Sequence, residues 1–327
     1  MLQYIARRIG YMAISLIAVT FIGFIVIELP PGSYLETFIE RLRQQGASIP
    51  QEQLEALERR YGLHDPVYIK FYKWVSGFVR GDFGESFELN LPVSKLIWDR
   101  LGLTLGISVL TLIFSWIVAI GVGVYSATHR YTMPDYAIAA LQFAGLSIPA
   151  FLLALVVMVF AQQVLGMSVG GLVSRNFQDA PWTLAKFVDL LKHLWIPVVV
   201  IGASGTAWLS RVMRGNLLDV LNMQYVQTAR AKGLNERTVI WKHAVRNALH
   251  PLVMVLGMSF PALISGETVV AIVLNLPTVG PIFFRALMNQ DMYLAGTILI
   301  FLAFMLLVGN LLADILLAWL DPRIRFR

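Results

Sequence analysis

Few residues in this chain combine type and spacing in a way that could do chemistry. The five histidines, at positions 64, 129, 193, 243 and 250, stand in different segments, and none shows metal-ligand spacing. His243 and His250 are seven apart and share a helical face, but both sit in one basic stretch. There is no cysteine, which excludes disulfides, thiolate metal sites and cysteine nucleophiles. No Gly-x-x-x-x-Gly-Lys-Ser/Thr phosphate loop occurs, so the chain cannot hydrolyse ATP by that route, and no cofactor pattern is present. Two acids lie inside apolar segments, Glu267 in Ser265-Gly-Glu-Thr268 and Asp314. An ionised carboxylate at mid-bilayer costs roughly 2.5–3.5 kcal/mol, so Glu267 must face a helix bundle or a wet cavity. Either it lines a solute path and meets cationic or hydroxylated groups, or it bonds a neighbouring subunit or outer water. Asp314 reads as a packing or interfacial residue.

The richest stretch is polar and basic, Asn216 to Pro251, set between two apolar segments. From Arg211 to Arg246 it carries Arg211, Arg214, Arg230, Lys232, Arg237, Lys242 and Arg246 against only Asp219 and Glu236. Leu218, Leu221, Tyr225 and Ala229 recur at spacings of three and four, which predicts one face of a helix. Gly233 should end that helix, because glycine enters the left-handed conformation without a Cβ penalty. Asn235 then suits the N-cap of a second helix, with Glu236 at the positive end of its dipole. On that second helix Ile240, Ala244 and Ala248 make a stripe, with Trp241, Val245 and Leu249 beside it. The expectation is two short amphipathic helices joined by a glycine corner. Basic helices of this kind also lie on anionic lipid, and the pattern alone leaves that reading open.

Tyr225-Val-Gln-Thr-Ala-Arg-Ala-Lys-Gly-Leu234, followed by His243-Ala-Val-Arg-Asn-Ala-Leu249, resembles the cytoplasmic "EAA" loop of bacterial ABC-importer permeases. The match is to the peptide-type group, the first permease of dipeptide and oligopeptide importers. The general pattern opens Glu-Ala-Ala six residues before the glycine, where this chain has Gln227, Thr228 and Ala229, a departure ordinary for the peptide-type group. The resemblance implies that Tyr225, Gln227, Thr228, Ala229, Arg230, Ala231, Lys232, Gly233 and Leu234 form the coupling element that docks on an ATPase. It further implies four kinds of partner: a second permease subunit, two ATP-binding subunits, an extracytoplasmic substrate-binding protein and the lipid around them. The family often has a glutamate four residues beyond Glu267, where this chain has Ala271, so no role for Glu267 is carried over.

These residues need elements to position them, and composition says what kind. The chain is 57% hydrophobic and 14% charged over 327 residues, and its apolar runs are too long for a soluble core. Ile9–Ile27 reads as a retained first transmembrane helix rather than a signal peptide, being too long for an h-region and lacking an Ala-x-Ala site. Residues 31–100 are polar and read as an external segment, with an exposed helix at 51–60. Its words Tyr61-Gly-Leu-His-Asp-Pro66, Trp74, Gly81-Asp-Phe-Gly84, Ser86 and Pro92-Val93 occur in the same order in peptide-type permeases.

Four further spans are expected before the last. They are Leu101–Tyr125, with Gly102, Gly106, Gly121 and Gly123 for close helix contact; Tyr136–Leu165, kinked or broken at Pro149; Leu194–Met213; and Pro251–Leu274. An external loop at 166–193 and an external corner at 275–281 separate them, and Leu294–Leu320 is the sixth span. The close in Asp321-Pro-Arg323 again resembles the peptide-type family.

The domain order is thus 1–30, an external segment 31–100, a permease domain 101–320 with its coupling loop at 214–250, and a tail 321–327. The basic residues fit this topology. Arg7, Arg8, Arg130, the seven of 211–246, Arg323, Arg325 and Arg327 fall inside, whereas short external loops hold Arg175, Lys186, Lys192 and Arg285. The net charge of +6 therefore marks orientation and not a nucleic-acid partner.

The whole predicts an all-α polytopic membrane protein of six helices in the bacterial inner membrane, with both termini cytoplasmic. Its expected function is the permease half of a binding-protein-dependent ABC importer for peptides, or for an oligosaccharide or nickel complex. A proton-coupled secondary transporter is the alternative, but only Glu267 and Asp314 would serve it. A membrane hydrolase would need paired acids or a His/Ser cluster at mid-depth, and none is present.

Overall fold

The computed structural model describes residues 2–28, 65–167, 170–178, 180–265 and 268–320. The exposed helix expected at 51–60 and the C-terminal Asp-Pro-Arg lie outside these residues, as does Glu267. Among the described residues every regular element is helical, apart from one isolated β-bridge, Glu85 to Pro92. The helices are α1 (Leu2–Glu28), α2 (Val67–Val79), α3 (Val93–Thr128), α4 (Met133–Ser147), α5 (Ala150–Gln163) and α6 (Leu184–Leu221). After α7 (Gln224–Ala231) come α8 (Glu236–Thr238), a π-helical turn (Val239–Ala244) and α9 (Val245–Ala248). The chain continues as α10 (His250–Ser265), α11 (Thr268–Val273), α12 (Val279–Met288) and α13 (Met292–Leu320).

Among the described residues, three helices are long and apolar enough to cross a membrane: Arg7–Ile27, Val93–Thr128 and Met292–Leu317. The α4–α5 pair, bent by 110°, makes a fourth if counted as one span. The break falls where Pro149 lacks a donor, with Ile148 extended before it, so the single span expected over 136–165 is two helices. The fourth expected span lies inside α6, whose N-terminus reaches back to Leu184. Thr183 caps it by accepting from the Lys186 amide at 3.2 Å, so residues 184–193, expected as loop, are helix. The expected corner at 275–281 is likewise shorter, because Val279, Gly280 and Pro281 open α12.

The chain divides into two compact units. The first comprises residues 1–102 and 281–305. Its core gathers Phe24, Trp74 and Ile300, with Phe71, Phe78 and Tyr293 against them. The Gly81-Asp-Phe-Gly84 word is a turn held by its own side chain: Asp82 Oδ1 accepts from the Gly84 amide at 3.0 Å. Gly84 has φ +77°, and a Cβ there would lie 2.5 Å from the Tyr293 ring, so no other residue fits. The turn delivers Ser86 to Asp291, a buried N-cap of α13. Asp291 accepts from Ser86 Oγ at 2.5 Å, from the Glu88 amide at 3.3 Å and from the Leu294 amide at 3.2 Å. Burial raises its pKa above the usual carboxylate range despite these bonds. Arg285 pairs with Glu88 at 2.5 Å alongside.

The second unit comprises residues 103–280 and 306–327. Long α6 is its central helix. Gly123 of α3 meets Met213 and the Ser210 carbonyl, and Gln142 of α4 donates to Ser210 Oγ at 2.9 Å. Of the four glycines expected to permit close contact on α3, only Gly123 makes one among the described residues of this chain. A Cβ on Gly102, Gly106 or Gly121 would meet nothing within 4 Å.

Candidate functional site

The basic stretch folds as a corner at the end of α6, built otherwise than its periodicity suggests. Leu218 and Leu221 belong to α6, which stops at Asn222; Met223 is extended, with ψ 145°, and α7 starts anew at Gln224. The expected single helix is therefore two. Spacing of three and four survives across a two-residue break, so it cannot report one. Gln227 bridges that break, its Nε2 donating to the Leu221 carbonyl at 3.1 Å. Val226 and Ala229 are buried, while Tyr225, Gln227, Thr228, Ala231, Lys232 and Leu234 are exposed. Thr228 bonds back to the Gln224 carbonyl at 2.9 Å.

At Gly233 the expectation holds. Its φ is +75°; its amide donates to the Arg230 carbonyl at 2.9 Å, and the Leu234 amide reaches the Ala229 carbonyl at 3.4 Å. These two bonds make a Schellman ending. Asn235 Oδ1 caps the next helix by accepting from the Arg237 amide at 2.9 Å. Across the corner Arg230 grips Glu236, with Nη2 to Oε1 at 2.6 Å and Nε to Oε2 at 3.1 Å. The Arg230 hydrogen bond holds the Glu236 carboxyl below its ordinary pKa and raises that of the guanidinium.

Beyond Thr238 the helix opens into a π turn, Val239–Ala244. The extra residue moves the buried stripe. Val239, Ala244 and Ala248 are buried at spacings of five and four, whereas Ile240, expected in the stripe, is half-buried. Asn247 Nδ2 donates to Tyr225 Oη at 2.7 Å, tying the second arm to the first. Beneath both arms Met213, Leu217, Val226, Ala229, Val239, Ala244 and Ala248 form one apolar cluster, so the corner is packed onto α6.

One site was missed by reading the sequence. Asp135, in the first turn of α4, is buried and accepts from Arg214 Nη2 at 3.0 Å and Nε at 3.2 Å, from the Tyr131 amide at 2.9 Å, and from Ser126 Oγ. It fastens the α3–α4 turn to α6 about two turns before the corner. In the sequence Arg214 reads only as one of seven positive charges. The signal was the Pro134-Asp135 pair at a helix start, where a carboxylate suits the dipole, but no spacing names a partner 79 residues away.

Residues 119–326, which include the whole corner, match the family model for the binding-protein-dependent transport system inner membrane component. The chain belongs to this family. It is 35% identical over 328 residues to the oligopeptide transport system permease protein AppB of Bacillus subtilis, covering all of both chains. It is 30% identical over 338 residues to the di/tripeptide transport system permease protein DppB of Pseudomonas aeruginosa, covering 99% of each. The glutathione transport system permease protein GsiC of Shigella flexneri is 29% identical over 327 residues, again along the full length of both.

The resemblance to peptide-type permeases thus holds from end to end. The protein is a membrane permease component of an ABC importer. Neither the proton-coupled alternative nor the oligosaccharide option finds support among these relatives.

Proposed function

We propose that this permease imports peptides, forming half of a translocation pathway with a second permease subunit. The observation that carries the substrate class is the full-length likeness to permeases named for oligopeptides and di- or tripeptides. Energy comes from ATP hydrolysis in two separate ATP-binding subunits, and an extracytoplasmic binding protein delivers the peptide. The corner of Tyr225, Gln227, Thr228, Ala229, Arg230, Ala231, Lys232, Gly233 and Leu234 is the coupling element. Its chemistry supports this reading: a Schellman ending, a bidentate ion pair and an apolar underside make a small rigid body seated on α6. Closure of the ATP-binding subunits pushes that body, and α6 carries the movement to the helices lining the path.

In this reading the chain crosses the bacterial inner membrane six times with both termini in the cytoplasm. Residues 31–100 lie outside, residues 101–320 form the permease domain, and Glu267 faces the path. At 38 residues, α6 is about 57 Å long, enough to cross a hydrocarbon layer of about 30 Å and project on both sides.

The test is substrate-stimulated ATP hydrolysis by the reconstituted transporter with its binding protein. Di- to pentapeptides should stimulate it, whereas maltooligosaccharides should not. Stimulation by the sugars alone would overturn the substrate assignment.

A further inference from the structure

Beside the corner a cleft of about 440 Å³ opens between the turn after α3, the end of α6 and the Arg230–Glu236 pair. Its half-buried apolar wall is Leu218, Leu221 and Ile240, and its exposed edge includes His129 and Arg130. Arg230 is already matched by Glu236 at 2.6 Å. His129 is held in place, its ring stacked on Tyr125 at 4.5 Å and its Nδ1 3.1 Å from the Tyr125 carbonyl. Arg130 differs. Its guanidinium lies 5.6 Å from the Tyr131 ring centroid, and among the described residues no carboxylate pairs with it. With Arg230 and Glu236 cancelling, the cleft presents one net positive charge beside an apolar wall.

The volume sits within the roughly 300–1,000 Å³ of pockets that enclose a sizeable ligand, so a lone inorganic ion would leave most of it empty. An occupant with both an apolar face and a carboxylate fits the wall and the charge together. The cleft also shares Arg230 and Glu236 with the corner, so whatever seats on the corner reaches it. We propose that this cleft is a second docking point for the ATP-binding subunit, receiving an acidic side chain borne on a short amphipathic segment of that subunit, with Arg130 as the recognising cation. This rests on the coupling role of residues 225–234. It adds the turn after α3 to the docking surface, so the subunit grips two connected segments of the permease at once.

The experiment uses the assembled transporter, with the photoreactive residue p-benzoyl-phenylalanine placed singly at position 129 or at position 231. An adduct with the ATP-binding subunit is expected from both. An adduct at 231 with none at 129 overturns the second docking point and leaves the coupling reading standing. Absence at both positions overturns both. A lipid adduct at 129 assigns the cleft to an anionic headgroup and overturns the proposal.

A second measurement reads the charge. Arg130→Glu should slow re-association of the ATP-binding subunit with the permease roughly ten-fold at low salt and flatten its salt dependence, whereas Arg130→Lys should keep both near wild type. Equal rates and equal salt slopes for wild type and Arg130→Glu would overturn the role of Arg130.

Discussion

Gly233 isolates one physical variable. A Cβ at this position would meet nothing within 4 Å, so a substitution there is strained only through its φ of +75°. Left-handed backbone costs an L-residue roughly 1–2 kcal/mol, more when β-branched and less for asparagine. Gly233→Val should therefore weaken coupling, and Gly233→Asn should do so much less, with both proteins recovered in complex. Peptide-stimulated ATP hydrolysis is the readout; equal stimulation in wild type and the valine variant would remove the corner from the coupling path.

Asp291 gives a prediction in pH. Burial raises its folded pKa above the unfolded value, so the folded state holds the proton more tightly. Its unfavourable contribution is absent below the unfolded pKa and grows as pH rises through the folded one. Protection of the Leu294 amide against hydrogen exchange, corrected for intrinsic rates, should fall as pH climbs through that window. Asp291→Asn should abolish the dependence.

Gly233 and Asn235 were readable because their chemistry closes within three residues. Asp291 with Ser86 was not, because 205 residues separate them and nothing in either word names the other.

Among elements, the α3–α4 turn and α6 are joined through Asp135 and Arg214. Removing one partner of a buried pair costs about 3–5 kcal/mol, and here less, since the Arg214 side chain is 31% exposed. Asp135→Ala should lower the stability of the detergent-solubilised protein by about 2–3 kcal/mol, read by thermal unfolding. The double variant Asp135→Ala/Arg214→Ala should lose less than the sum of its singles. Additive losses would mean the pair does not fasten these elements.

The corner's arms show where periodicity stops being informative. A two-residue break and a π turn each shift the phase of the buried face, yet the average spacing stays near that of an α-helix. Periodicity thus places Leu218 and Leu221 in the wrong helix, and Ile240 in a stripe that Val239 fills. Pro149 was legible because it breaks the backbone itself, and the bend of 110° exceeds a kink.

For the molecule as a whole, charge placement in the sequence predicts an orientation. The cysteine-free background allows single cysteines to test it without competing thiols. In intact cells Asn176→Cys should react with an impermeant maleimide, and Asn235→Cys only after permeabilisation. Labelling of Asn235→Cys from outside would reverse the proposed orientation. The span count is only partly legible in the sequence. Leu194–Met213 mixes Gly202, Ser204, Gly205, Thr206 and Ser210 into its apolar run. Some of these polar atoms turn to neighbouring helices rather than to lipid, as Ser210 does toward Gln142. A helix whose partners are proteinaceous carries a weaker apolar signature than one bathed in hydrocarbon.

The unbroken course of α6 has a mechanical consequence. A rod of about 57 Å tilted by about 5° about one end displaces the other by about 5 Å, close to one helical pitch. A nudge at the corner, where Met213 and Leu217 root the apolar cluster, is thereby enlarged at the Thr183 end without any bond along the rod being remade. Pro197 interrupts the backbone ladder 14 residues from Thr183 and is the one proline within the rod, so flexure concentrates there. The stiff 24 residues from Val198 to Leu221 then carry the tilt as one piece, and flexure at Pro197 sets how far the first turns of α6 follow it.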